Sequence, residues 1–182
     1  MNRQTFMDEA WDSDLGFIRE KSEDIGEVLK GVPIFESFDE EEIEQIRRIV
    51  HGRVFLPKEV IVHQGAPGVG MYIVQSGSAD VVLEVDEGSE IKLTSLGEGQ
   101  FFGEMSLLDG APRAASVVAT ERSKMIGFFR ADLMDLISQS PQLGLKIVYF
   151  LSQMMCERLG ETVQEYRDVL KAIRSLEKDH SE

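Results

Sequence analysis

The stretch Phe102-Gly103-Glu104-Met105-Ser106-Leu107-Leu108-Asp109-Gly110-Ala111-Pro112-Arg113-Ala114-Ala115-Ser116 carries most of what this chain reveals. It sets the Glu104 carboxylate and the Arg113 guanidinium nine positions apart in an otherwise small and apolar segment. Gly103 opens it, Gly110 breaks it, and Pro112 stands directly before the arginine. That chemistry suits a small molecule bearing both a vicinal hydroxyl and a phosphate.

On both sides of this stretch the apolar residues recur with a period of two. Before it, Val54 and Leu56, Val60 to Val62, Met71 to Val74, Ala79 to Val85, and Ile91 with Leu93 predict short strands. After it, Ser116 to Ala119 and Lys124 to Phe129 predict two more. Turn clusters separate them: Pro57-Lys58, Gly65 to Gly68, Ser76 to Ser78, and Asp86 to Ser89, the last a hairpin tip. Many short strands at regular spacing imply a jelly-roll-like or barrel-like sheet.

Further out the period becomes helical. Ile18, Ile25 and Leu29, with Val28 beside them, lie at helical spacing in the acidic segment 1–32. Gly31 and Pro33 punctuate it, and Asp39 followed by Glu42 predicts a capping box for a helix buried through Ile43, Ile46 and Ile49-Val50. Beyond Arg130, Leu133, Leu136 and Ile137 predict a short helix ending near Pro141, followed by a long one to about Lys178. In that helix Cys156, Leu159, Val163, Tyr166, Leu170 and Ile173 alternate in steps of three and four, the spacing of a coiled-coil seam. The seam either packs on the chain's own sheets or joins a second copy. A helix this long overruns a small barrel, which favours the second. The expected fold is therefore α+β, mainly β: an eight-stranded jelly-roll-like β-barrel with N-terminal helices and a long C-terminal helix. Its expected divisions are an extension over 1–32, the barrel over 33–140 and the helix over 141–182.

Composition narrows the partners. The chain has 182 residues and a net charge of −14, with no basic cluster longer than Arg47-Arg48, which argues against direct nucleic-acid binding. Its acidity also fits plain solubility. Cys156 is the only cysteine, so no disulfide framework or thiolate metal cage is expected. Neither a secretory signal nor an apolar run of about 20 residues is seen, which leads to the expectation of a cytoplasmic protein with no membrane partner.

From about Val32 to Tyr166 the chain resembles the cyclic-nucleotide-binding domain family of catabolite activator proteins and cAMP-dependent kinase regulatory subunits. Gly65 before the strand Met71 to Val74, Gly77 after it, and then the Phe102–Ser116 cassette occur in that family's order. The resemblance implies ligand contacts at Gly103, Glu104, Met105, Ser106, Arg113, Ala114 and Ala115. Gly103 would let the backbone approach the ligand. Met105 to Leu108 would form a short turn whose N–H groups face an anion. Arg113 would fork onto the cyclic phosphate and Glu104 would accept from the ribose 2′-hydroxyl. Amides around Ser106 and Ala114 would finish the cradle. The alternative for Glu104 and Arg113 is a simple ion pair closing a loop.

The resemblance also places Val81 and Leu93 against the base, although both suit ordinary strand core. Thr162, in Glu157-Arg158-Leu159-Gly160-Glu161-Thr162, matches a threonine that meets the adenine, with Tyr166 one turn on. It equally suits a solvent-facing helix position. Relatives preferring cGMP carry a threonine directly after the cassette arginine. Ala114 stands there, so cAMP is the expected ligand and cGMP the second choice.

The resulting expectation is a regulatory, non-enzymatic binding module that signals through its C-terminal helix to an unidentified protein partner. The residues after Tyr166 show no helix-turn-helix and no basic recognition face, so direct transcriptional action is not expected. Two alternatives stand beside it. One is an interaction protein with an idle pocket, which an intact Glu104 and Arg113 oppose. The other is a cupin-like metalloenzyme, for which His51, His63 and His180 are too scattered.

Overall fold

Asp39 opens the first helix whose start the sequence specifies. Its carboxylate accepts from the Glu42 N–H at 2.9 Å, and the Glu42 carboxylate accepts from the Asp39 N–H at 2.9 Å. The expected capping box is thus complete at the head of α2 (Glu40–Arg47), which buries Ile43 and Ile46. The structure is a computed structural model and describes residues 23–86 and 88–179. Ile18 and His180 lie outside the described residues. α1 (Glu23–Lys30) precedes α2 and buries Leu29, and a 3-10 turn at Pro33–Phe35 joins the two helices.

The strands are β1 (His51–Phe55), β2 (Val60–Val62), β3 (Gly70–Ser76), β4 (Ala79–Asp86), β5 (Ser89–Leu96), β6 (Phe101–Phe102), β7 (Ser116–Ala119) and β8 (Ser123–Phe129). They make two four-stranded sheets, ordered β1-β8-β3-β6 and β2-β7-β4-β5, with every pair antiparallel. The eight strands are those of a jelly-roll-like fold, but among the described residues no ladder joins one sheet to the other. A barrel needs an unbroken ring of hydrogen-bonded strands. The expected barrel is therefore an open two-sheet sandwich.

β3 shows why Met71 to Val74 is apolar without alternation. Met71 and Ile73 enter a cluster with the helices, including Leu29, Phe35, Ile46, Leu133 and Ile147. Tyr72 and Val74 enter a second cluster with Phe55, Phe102, Val117 and Met125. Both faces of the strand are covered, so both sets of side chains are apolar.

After β6 comes α3 (Glu104–Asp109), and after β8 come α4 (Arg130–Gln139) and α5 (Pro141–Asp179). α5 buries Leu143, Ile147 and Leu151 against the body. From Cys156 to Leu176 every residue is exposed. The seam residues Leu159, Val163, Tyr166, Leu170 and Ile173 are 40–64% exposed, so they do not pack on the chain's own sheets. The same four-and-three spacing continues backward through Ser152 and Tyr149 to Leu145, all exposed.

Candidate functional site

β6 and α3 set the cassette between the two core clusters: Phe102 enters the second, and Phe101 and Leu107 enter the first. Gly103 joins them with φ of +84°, a left-handed conformation that glycine adopts without strain. A Cβ at Gly103 would also run into the Arg113 guanidinium and lie 2.9 Å from the Gly70 carbonyl. Glycine was expected to clear space for a ligand. Its nearer role is to clear space for the arginine.

Arg113 is 6% exposed, and its Nη1 is buried without a hydrogen-bond partner among the described residues. Burial pulls this guanidinium's pKa below its ordinary value, opposed by nearby Tyr72 and Glu104. Burial pushes the Tyr72 phenol up, opposed by Arg53 and Arg113. The Arg113 backbone is held from both sides. Gly65 N–H donates to its carbonyl at 2.8 Å, and its own N–H donates to the Ala66 carbonyl at 2.9 Å. A buried guanidinium donor left unanswered costs free energy that an anion can recover.

Glu104, the first residue of α3, is 8% exposed. The ion pair with Arg113 does not form. Instead Arg158 Nη1 on α5 donates to Glu104 Oε1 at 2.5 Å. The same guanidinium reaches the Phe101 carbonyl at 3.4 Å and lies 4.6 Å from the centre of the Phe101 ring. Sequence reasoning missed Arg158 as a site residue. The only available signal was its place one turn before Thr162, and nothing in the sequence separates it from the other basic residues of α5.

Ser106 is buried and donates to the Ala111 carbonyl at 3.1 Å, so its hydroxyl fastens the cassette. Met105 is 51% exposed, Ala114 is exposed and Ala115 is half-buried. At the far end of α3, Arg130 Nη1 donates to the Leu107 carbonyl at 3.2 Å and also to the Leu108 carbonyl. That places a cation on the negative end of the short helix.

Val81 is half-buried, paired with Val117 on β7 and Thr94 on β5. Leu93 lies where the β4–β5 register shifts and is 55% exposed. Thr162 is exposed and its hydroxyl donates to the Arg158 carbonyl at 2.9 Å. The structure thus gathers Gly103 to Ser106 with Arg113 to Ala115. Val81 and Leu93 stand on the adjacent hairpin, and Thr162 stands one turn beyond the α5 residue that touches Glu104. His51 pairs with Asp132 at 3.3 Å on the surface. Among the described residues no group of three or more His, Cys, Asp or Glu is placed to hold a metal ion, and no helix is long and apolar enough to cross a membrane.

Two antiparallel sheets present a buried arginine, its Nη1 without a partner among the described residues, beside a short helix headed by a carboxylate. Residues 52–140 match the model of the cyclic nucleotide-binding domain, so the chain carries a domain of that family.

Particular relatives sharpen this. The chain is 34% identical over 133 residues to the cyclic AMP receptor protein of Thermus thermophilus, covering 73% of this chain and 60% of that protein. It is 40% identical over 97 residues to a cAMP-dependent protein kinase regulatory subunit of Hypocrea atroviridis, covering 53% of this chain and 20% of that one. The chain therefore spans less than two thirds of either relative. Among solved structures, a cyclic nucleotide-binding domain from Methylobacillus flagellatus superposes with a TM-score of 0.69 at 26% identity, covering 79% of this chain and 81% of that one.

Proposed function

We propose that this chain is a non-catalytic regulatory module that binds a 3′,5′-cyclic nucleotide, cAMP ahead of cGMP. The observation that carries this reading is Arg113, buried with an Nη1 that no described residue satisfies. A cyclic phosphate supplies the missing acceptor and the matching charge. Glu104 supplies an acceptor for a ribose hydroxyl, in a carboxylate that now holds Arg158. A ligand on Glu104 thereby shares a partner with α5, which couples binding to that helix. The hairpin carrying Val81 and Leu93 offers apolar surface for the base, with Thr162 on α5 closing over it. Ala114, lacking a hydroxyl for a guanine amine, supports the preference for cAMP.

In this reading residues 33–140 sense the ligand, and residues 141–182 carry the signal and join a second copy through the exposed seam. The seam's 40–69% exposed apolar residues, from Leu145 to Ile173, support self-association. The output passes to a further protein partner. Thermal denaturation with and without millimolar cAMP or cGMP tests the reading, since a ligand that binds only the folded state raises Tm. A rise, larger with cAMP, is expected. No rise with either nucleotide, and no heat of binding by calorimetry, would overturn it.

A further inference from the structure

β4 is supported unevenly along its length. On its β7 side the ladder runs from Ala79↔Ala119 to Val82↔Ser116 and stops. Its other neighbour, β5, is exposed at every residue from Ser89 to Ser95. Beyond Val82 the hairpin would hang from the sheet by one edge. Gln64 fills the gap. Its Oε1 accepts from the Glu84 N–H at 2.9 Å, and its Nε2 donates to the Glu84 carbonyl at 3.2 Å. A carboxamide offers one acceptor and a donor in a plane, as a peptide group does, so this side chain continues the ladder by one rung.

The same residue is tied to the cassette. Gln64 N–H donates to Ser116 Oγ at 2.9 Å. The next two residues, Gly65 and Ala66, hold the carbonyl and N–H of Arg113. Three consecutive residues therefore connect the Glu84 backbone on the hairpin to the Arg113 peptide. Directly opposed residues of an antiparallel pair share a face. Val81, Leu83 and its partner Ile91 accordingly stand together on one side of that hairpin.

We infer that Gln64 is a positioning residue that holds the β4–β5 hairpin in register with the Arg113 peptide. It thereby fixes the apolar platform for the base relative to the grip on the phosphate. This rests on the cyclic-nucleotide reading above. Gln64 hydrogen-bonds to Ser116 and Glu84 and to neither the Arg113 nor the Glu104 side chain, so its influence falls on the distance between two subsites and not on either one.

The test compares two ligands, cAMP and the base-free methyl riboside 3′,5′-cyclic phosphate, titrated by NMR into wild-type and Gln64→Met chains. Methionine keeps the length and removes both hydrogen bonds. Affinity for cAMP should fall about 5- to 20-fold, the scale of one or two hydrogen bonds. Affinity for the base-free ligand should change less than about twofold, and amide exchange at Glu84 should accelerate. Gln64→Glu, which keeps the acceptor for the Glu84 N–H and loses the donor, should lie between and reads the same contrast should Gln64→Met not fold. Equal losses on both ligands, or no loss on cAMP, would overturn the inference. A wild-type chain that binds neither ligand would instead sink the nucleotide reading itself.

Discussion

At the scale of single residues, the chain tolerates a buried guanidinium donor, Arg113 Nη1, with no acceptor among the described residues. Leaving a charged group's hydrogen bond unmade costs more than the net gain of making one. An arriving anion would supply the missing acceptor. Replacing Arg113 with alanine should weaken cyclic-nucleotide binding by ~2–5 kcal/mol, because the phosphate loses its charged partner. Calorimetry giving equal affinity for Arg113→Ala and wild type would rule the pocket out. The neighbouring position tests selectivity. Ala114→Thr adds a hydroxyl at an exposed site and should shift the ratio of cGMP to cAMP affinity toward cGMP. A competition assay with an unchanged ratio would count against that role. Glu104 and Arg113 were legible because they lie nine positions apart in one local segment. Arg158 was not, because its meeting with Glu104 spans 54 positions and depends on how α5 packs on the body through Leu143, Ile147 and Leu151.

Elements differ in how much of their cause is local. The α2 head is wholly local: Asp39 and Glu42 satisfy each other's backbone N–H groups, and the sequence pattern alone predicts it. Asp39→Ala should cost ~1 kcal/mol of stability, measured by urea denaturation, with nucleotide affinity unchanged. A variant as stable as wild type would show that the cap contributes nothing there. β6 lies at the other extreme. Two phenylalanines before a glycine carry no period, and they become a strand only because Tyr72 and Ile73 are opposite. The open sandwich was likewise illegible, since alternation predicts strands and faces but not whether the last strand meets the first. The Gln64 clamp was hidden for a related reason. A side chain standing in for a strand rung leaves no periodic trace.

For the whole molecule, the decisive fact is that α5 is two helices in one. Its first part is fixed to the body by Leu143, Ile147 and Leu151, and its second part carries an exposed apolar seam. The seam predicts association of two copies with knobs-into-holes packing. Sedimentation should find a dimer for the wild type and a monomer for Leu159→Glu combined with Val163→Glu. Both side chains are exposed, at 64% and 41%, so the double variant should keep its fold. A wild-type monomer at about 100 µM, well above the dissociation constant of a stable dimer, would refute self-association through this face.

The span from Leu151 to Leu176 has a mechanical consequence. At 1.5 Å per residue it is an arm about 37 Å long, rooted at the buried Leu151 and held on the way by Glu104 through Arg158. A tilt of about 5° at the root would sweep its tip through roughly 3 Å, comparable to the interface helix shifts by which known switches work. Were a ligand to take over the Glu104 carboxylate, as proposed above, the loss of this one contact near the root would be felt at the far end without any rearrangement of the sheets.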